Sequence, residues 1–349
     1  MARPDIDPAS AALHRDALVI DVHTHGVHLL PRAWAAAYRA ATRGSMPPDV
    51  GFGALAACGV DAVVAKAVGD RVVTAFHRPG AWRCVREQLA SLRRDAATGG
   101  CEVVASVDGI DAARTAGRPA VILGLEGADP LSRRPERVAE LHALGVRVVG
   151  LVHYVDNGLG TVCLPWQDWV PLPLPARRPS ARGLTAEGAE VVGALVAAGI
   201  LVDVAHGDPE TVLAVCEQVG AAGRPVVSSH AGARAVRDFA RFHDDDELRA
   251  IAATGGFVGL WPFRYRGQGV ADLDDWLRHA TYLAELLGTD HLAIGTDMNG
   301  VSGLMDGFGG EHDLPVLTDV LRRRAGFSDD EVLAILGGNA RRVLAAASG

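Results

Sequence analysis

Residues 120–127 read Ala-Val-Ile-Leu-Gly-Leu-Glu-Gly, an apolar stretch closed by a carboxylate. A run this short and continuously apolar suits a strand covered on both faces, as in a parallel sheet clad in helices. Working outward, similar runs occupy Ala17–Val22, Val60–Ala67, Val146–Val152, Ile200–Val204, Pro225–Ser228, Phe257–Trp261 and Leu292–Gly295. With Ala120–Leu125 they make eight, separated by helical patterns. Eight strand–helix alternations predict an α/β fold, a closed (β/α)8 TIM barrel, with an open doubly wound sheet as the alternative. Glu102–Val107 predicts an extra strand outside the barrel.

The helices carry their own start signals. Asp208-Pro209-Glu210 combines an N-cap with proline in the first turn, and Ser328-Asp329-Asp330-Glu331 has the spacing of a capping box. Residues 158–182, with several prolines and with Trp166 and Trp169, suit neither strand nor helix and predict a long βα loop beside the pocket. Neither a repeat nor a linker interrupts the pattern, so one domain over residues 1–349 is expected.

Hydrophobic residues make up 49% of the chain and charged residues 22%, enough apolar content for a full core. The net charge of −8 disfavours nucleic acid as a partner, because phosphate neutralisation needs a basic face. Cys58, Cys84, Cys101, Cys163 and Cys216 are scattered, without the spacing of a disulfide framework or a cysteine zinc site. The first residues lack a basic-then-apolar leader pattern, and neither a membrane span nor a lipid-anchor tail is legible. A cytoplasmic enzyme without membrane attachment is therefore expected. Lys66 is the sole lysine.

Barrel sites form where strands end, and the polar exceptions fall there. His23-Thr24-His25 follows the first run; two histidines two apart on an extended segment point the same way and can reach one ion. Glu126 ends the third run, where a carboxylate is costly to bury unless paired or bound to a metal. His206 follows the fifth run, His230 the sixth and Asp297 the eighth. Each alone has an ordinary structural reading, as a cap or a buried hydrogen-bonding group. Together, six nitrogen and oxygen ligands converging on one mouth point to two divalent ions, zinc being the natural choice, bridged by a shared carboxylate.

The words around these ligands resemble the renal (membrane) dipeptidase family from about Asp21 to about Leu344. LGLEGADPL (123–131) is similar to the family's glutamate motif and implies that Glu126 bridges both metals. LVHYVDN (151–157) resembles T-H-N-x-x-N, which implies that His153 meets the substrate carbonyl and that Asn157 contacts substrate. The segments 183–206, 225–236 and 291–300 resemble those supplying His206, His230 and the proton-handling aspartate, Asp297. LAILGGNARRVL (333–344) resembles the family's ending. Two departures stand out. The family has H-x-D where this chain has His23-Thr24-His25, one negative charge fewer. Its R-N-x-x-D, whose arginine holds the substrate carboxylate, appears as Arg241-Phe242-His243-Asp244-Asp245.

The resemblance implies a metallo-dipeptidase cleaving short peptides with a free C-terminal carboxylate, L-Xaa-L-Xaa and also L-Xaa-D-Xaa. Asp297 would serve as general base then acid, His153 and a metal as oxyanion stabilisers, and Arg241 as the carboxylate clamp. With Phe242 in place of asparagine, the rival arrangement leaves Arg241 in solvent or paired with Asp244 or Asp245. Other superfamily reactions are alternatives, on another small amide or a lactone. The carbamylated-lysine branch is disfavoured because no lysine lies near Val146–Val152, and a deaminase because its acid motif is missing. A catalytically silent barrel is the remaining alternative. Homodimers are common among such barrels, but no interface is legible.

Overall fold

A computed structural model describes residues 6–26, 49–75, 80–165, 168 and 181–348. Its strands are β1 (Ile20–His25), β2 (Ala62–Val68), β3 (Glu102–Val104), β4 (Ala120–Glu126) and β5 (Val146–Gly150). β6 (Leu201–Asp203), β7 (Val226–Ala231) and β8 (Val258–Leu260) follow. β9 (Arg264–Tyr265) and β10 (Gln268–Gly269) form a separate antiparallel ribbon before β11 (Leu292–Ile294).

The large sheet runs β2-β1-β11-β8-β7-β6-β5-β4 and closes on itself through β2–β4, so eight parallel strands make a (β/α)8 barrel. The expected extra strand exists, but it is shorter than its apolar run. β3 pairs with Ala120–Ile122 of β4, and Val107 already begins the helix Val107–Thr115, capped by Ser106. β1, β2, β4 and β7 extend past their apolar runs at the C-terminal end, whereas β5, β6, β8 and β11 end within theirs. His23, His25, Glu126 and His230 lie within strands, because a polar side chain aimed into the mouth does not interrupt the backbone ladder. At the other end, Ala17 caps the helix Pro8–Asp16, so β1 starts three residues later than its apolar run.

Alternation divides the barrel interior along its axis. Val64, Ile122, Leu201 and Val227 pack in one buried cluster with Val343 and Leu344 of the C-terminal helix Asn339–Ser348. An even number of residues further along the same strands stand Lys66, Glu126, Asp203 and Ser229, on the same face by period two. The interior therefore passes from aliphatic at the strand starts to polar at the strand ends. The cap signals are realised: Asp208 accepts from Thr211 N–H with Pro209 in the first turn, and Ser328 and Glu331 form a reciprocal capping box. The long loop is described only in part; Val162 bridges Gly207, while Trp166 and Trp169 lie outside the described residues.

Candidate active site

Six expected ligands and His153 are buried at the C-terminal mouth. β1 delivers His23 and His25 with their Nε2 atoms 3.2 Å apart. Two ligands at about 2.0–2.1 Å from one tetrahedral ion would stand roughly 3.3 Å apart, so this spacing suits a shared cation. Asp297 Oδ1 lies 3.6 Å from His23 Nε2 and 3.4 Å from His25 Nε2, completing one group. On the other side His206 Nε2 and His230 Nε2 are 3.0 Å apart. Glu126 stands between the two sets. Its Oε1 is 3.5 Å from His23 Nε2 and 3.3 Å from His206 Nε2, and its Oε2 is 3.2 Å from His25 Nε2.

Among the described residues, three ligand groups could hold a metal: His23–His25–Asp297, His23–Glu126–His230 and Glu126–His153–His206. The buried Glu126 Oε1 has no hydrogen-bond partner although histidine nitrogens surround it, as expected of an atom that shares a cation with them. The donor set fits a divalent ion. Its placement also carries backbone strain: His206 and Asp297, both just past strand ends, have φ of 71° and 55°. Such left-handed non-glycine residues concentrate at functional sites. Gly300 leaves space beside His25 and Asp297, since a Cβ there would meet His25 Cδ2 at 2.4 Å and Asp297 Oδ1 at 2.5 Å.

Electrostatics divide the histidines. Burial, joined by the nearby Arg241 charge, holds His206 and His230 well below the ordinary imidazole range, so both are neutral imidazoles near neutral pH. Burial also opposes a charge on His25, but the Asp297 and Glu126 carboxylates outweigh it and push its pKa up to about 10. Burial acts likewise on His153, and Glu126 and Asp70 outweigh it and raise that group. Glu126 would be raised by burial, yet His153 and His23 hold it well below the usual carboxylate range.

His153 Nε2 faces Glu126 Oε2 at 3.6 Å, while its Nδ1 bonds to Asp70. Asp70, which the motif reading missed, also caps the short helix Arg71–Thr74. Its signal lay in the Gly69-Asp70 pair immediately after an apolar run. Asn157 uses its whole amide in the loop after His153, donating to Asp129 and Leu151 O and accepting from Leu159 and Gly160 N–H. Arg241 is only 1% exposed. It donates to His230 Nε2 at 2.9 Å and lies over the Trp261 ring at 5.0 Å, which excludes the solvent-facing arrangement. Asp244 instead caps the helix Asp245–Ala253, and Asp245 accepts from Tyr282 Oη. Phe242 packs into the core against Phe239 and His279.

No helix among the described residues is long and apolar enough to cross a membrane. Solved structures share the fold. The probable dipeptidase PvdM from Pseudomonas aeruginosa matches with a TM-score of 0.79 at 18% identity, over 97% of this chain and 98% of that one. A metallo peptidase from Rhodobacter sphaeroides, liganded with a phosphinate mimic of the dipeptide L-Ala-D-Ala, matches with 0.74 at 21%, over 95% and 99%. Among sequence relatives, the dipeptidase aclJ of Aspergillus oryzae is 30% identical over 232 residues, 65% of this chain and 51% of its own length. Dipeptidase 3 of Rattus norvegicus is 27% identical over 268 residues, 75% and 51% respectively. The chain thus spans about half the length of these curated relatives. The family model for membrane dipeptidase, peptidase family M19, matches residues 11–348, and the chain belongs to that family.

Proposed function

We propose that the chain is a two-zinc dipeptidase acting on short peptides with a free C-terminal carboxylate, of L,L and L,D configuration. The observation that carries this reading is the pair of histidine sets facing one buried carboxylate, with a buried guanidinium at their edge. His23, His25 and Asp297 would hold one ion, His206 and His230 the other, with Glu126 shared. Bound there, divalent ions supply Lewis acidity toward a carbonyl and acidify water toward neutrality.

The chain's own groups account for the remaining chemistry. Asp297 accepts the proton of the attacking water and returns it to the departing amine. His153, held through Nδ1 by Asp70, presents Nε2–H to the carbonyl oxygen as charge develops there. Arg241 makes a charge-assisted contact with the terminal carboxylate, in a cavity also lined by Cys163, Arg182, Arg234, His243 and Glu247. Asn157 shapes the loop that carries His153. The same ligand set also suits another small amide. Hydrolysis of a mixed L,L and L,D dipeptide library by zinc-loaded protein, beside C-terminal amides and lactones, tests the reading. Turnover of amides or lactones with none of free-acid dipeptides would overturn it.

A further inference from the structure

We propose that Lys66, the sole lysine of the chain, is a positioning residue of the metal centre. Through Asp203 and Ser229 it fixes the tautomer of one histidine ligand on each side of the site. The proposal rests on the metal reading above.

Lys66 is 1% exposed, inside the barrel on β2, and its ammonium pairs with Asp203 Oδ2. A buried ion pair repays its desolvation poorly, so stability alone is a weak reason for one here. The barrel is shaped to admit it: a Cβ at Gly124 would lie 2.7 Å from Lys66 Cγ. Asp203 Oδ1 accepts the N–H groups of Ala205 and Ser229 at 3.0 and 2.9 Å. Its Oδ2 accepts the Ser229 hydroxyl proton at 2.5 Å, and the ammonium stands 3.3 Å from the same Oγ.

A serine hydroxyl has one proton to donate, and this one is committed to Asp203. Its oxygen lone pairs therefore face His23 Nδ1 at 2.7 Å and His230 Nδ1 at 3.0 Å, and both rings must donate there. That leaves Nε2 of each with a lone pair aimed at the site. Arg241 gives independent support, because a guanidinium only donates, and its bond to His230 Nε2 requires that same lone pair. Lys66 also acts through its backbone, whose carbonyl accepts from His25 Nδ1 at 3.0 Å. Without the ammonium, which bonds both Asp203 Oδ2 and Ser229 Oγ, the carboxylate oxygen and the hydroxyl are no longer held against each other. The hydroxyl can then turn onto Nδ1 of His23 or His230, which moves that ring's proton to Nε2, into the space a cation needs.

The test uses the full chain as wild type, Lys66→Met and Ser229→Ala. Zinc affinity is read by chelator competition, and the histidine tautomers of the zinc-free protein by nitrogen-15 NMR. Outer-shell partners of ligating histidines typically change metal affinity by about 10–100-fold, and a loss of that size is expected in both variants. In wild type His23 and His230 should be Nδ1–H, and in Lys66→Met at least one should become Nε2–H. Wild-type zinc affinity and unchanged tautomers in both variants would overturn the proposal. Should Lys66→Met fail to fold, Lys66→Gln, whose neutral amide carries no ammonium charge, is read in its place. If wild type takes up no zinc, the metal reading fails, while the zinc-free tautomers still judge this one.

Discussion

Arg241 donates from Nη2 to His230 Nε2 across 2.9 Å, so its guanidinium occupies the lone pair through which His230 would bind a metal. The two roles compete for one atom. A cation on His230 would displace the guanidinium, which is buried, has an unpartnered Nε and lines the neighbouring cavity. A carboxylate entering that cavity would meet a donor already desolvated.

Arg241→Ala should therefore harm free-acid dipeptides far more than their C-terminal amides. A charge-assisted contact contributes about 1.5–3 kcal/mol, so selectivity for acid over amide should fall roughly ten- to a hundredfold. The measurement is kcat/KM for a matched acid and amide in both proteins. Equal losses on both substrates would remove Arg241 as the clamp.

Metal-replete protein should carry two divalent ions per chain by elemental analysis. Glu126→Gln should lose metal and activity together, since a neutral amide bridges two cations poorly. The melting temperature of wild type should also rise with zinc concentration, because a ligand that binds only the folded state stabilises it. One ion per chain in a saturated sample would contradict the shared-carboxylate arrangement.

Asp297→Asn should retain much of the metal, since four histidines and Glu126 remain. Loss of a general acid–base group typically lowers turnover by about 10²–10⁴-fold. Unaltered rates across the pH range would exclude Asp297 from proton transfer.

Two histidines away from the metal ligands should make the fold acid-sensitive. Burial holds His14 at about 4, and it holds His279 at about 4 as well, against 6.5 for an unperturbed histidine. The unfolded chain takes up protons at these positions before the folded one does. Their contribution is thus complete above about 6.5 and is lost as pH falls toward 4, by up to roughly 3 kcal/mol each. Urea midpoints of wild type and of a His14→Ala, His279→Asn variant, compared between those values, should show the steeper decline in wild type. Parallel pH profiles would refute it.

The motif reading and the structure part company at particular residues. The barrel was legible because strands buried on both faces are largely continuous apolar runs, as in Ala62–Ala65 and Ala120–Leu125. The candidate ligands were legible because a polar group at the end of such a run has few inexpensive reasons to be there. Strand ends were not, since His25 and His230 continue the backbone ladder while breaking the apolar pattern.

Sequence alone therefore determined the alternation of elements, the barrel and which residues are candidate ligands, all of which follow from local periodicity and local burial. Tertiary structure alone decided the contacts that join distant strands. Asp70 reaches His153 across 83 positions and Lys66 reaches Asp203 across 137, and each of these residues taken singly looks like an ordinary cap or charge. The orientation of Arg241 is of the same kind: local pattern allowed solvent or site, and the core packing of Phe242 with the Trp261 ring against the guanidinium turned it toward the site. Such choices depend on closure of the barrel, which brings side chains together with no regard for their separation along the chain.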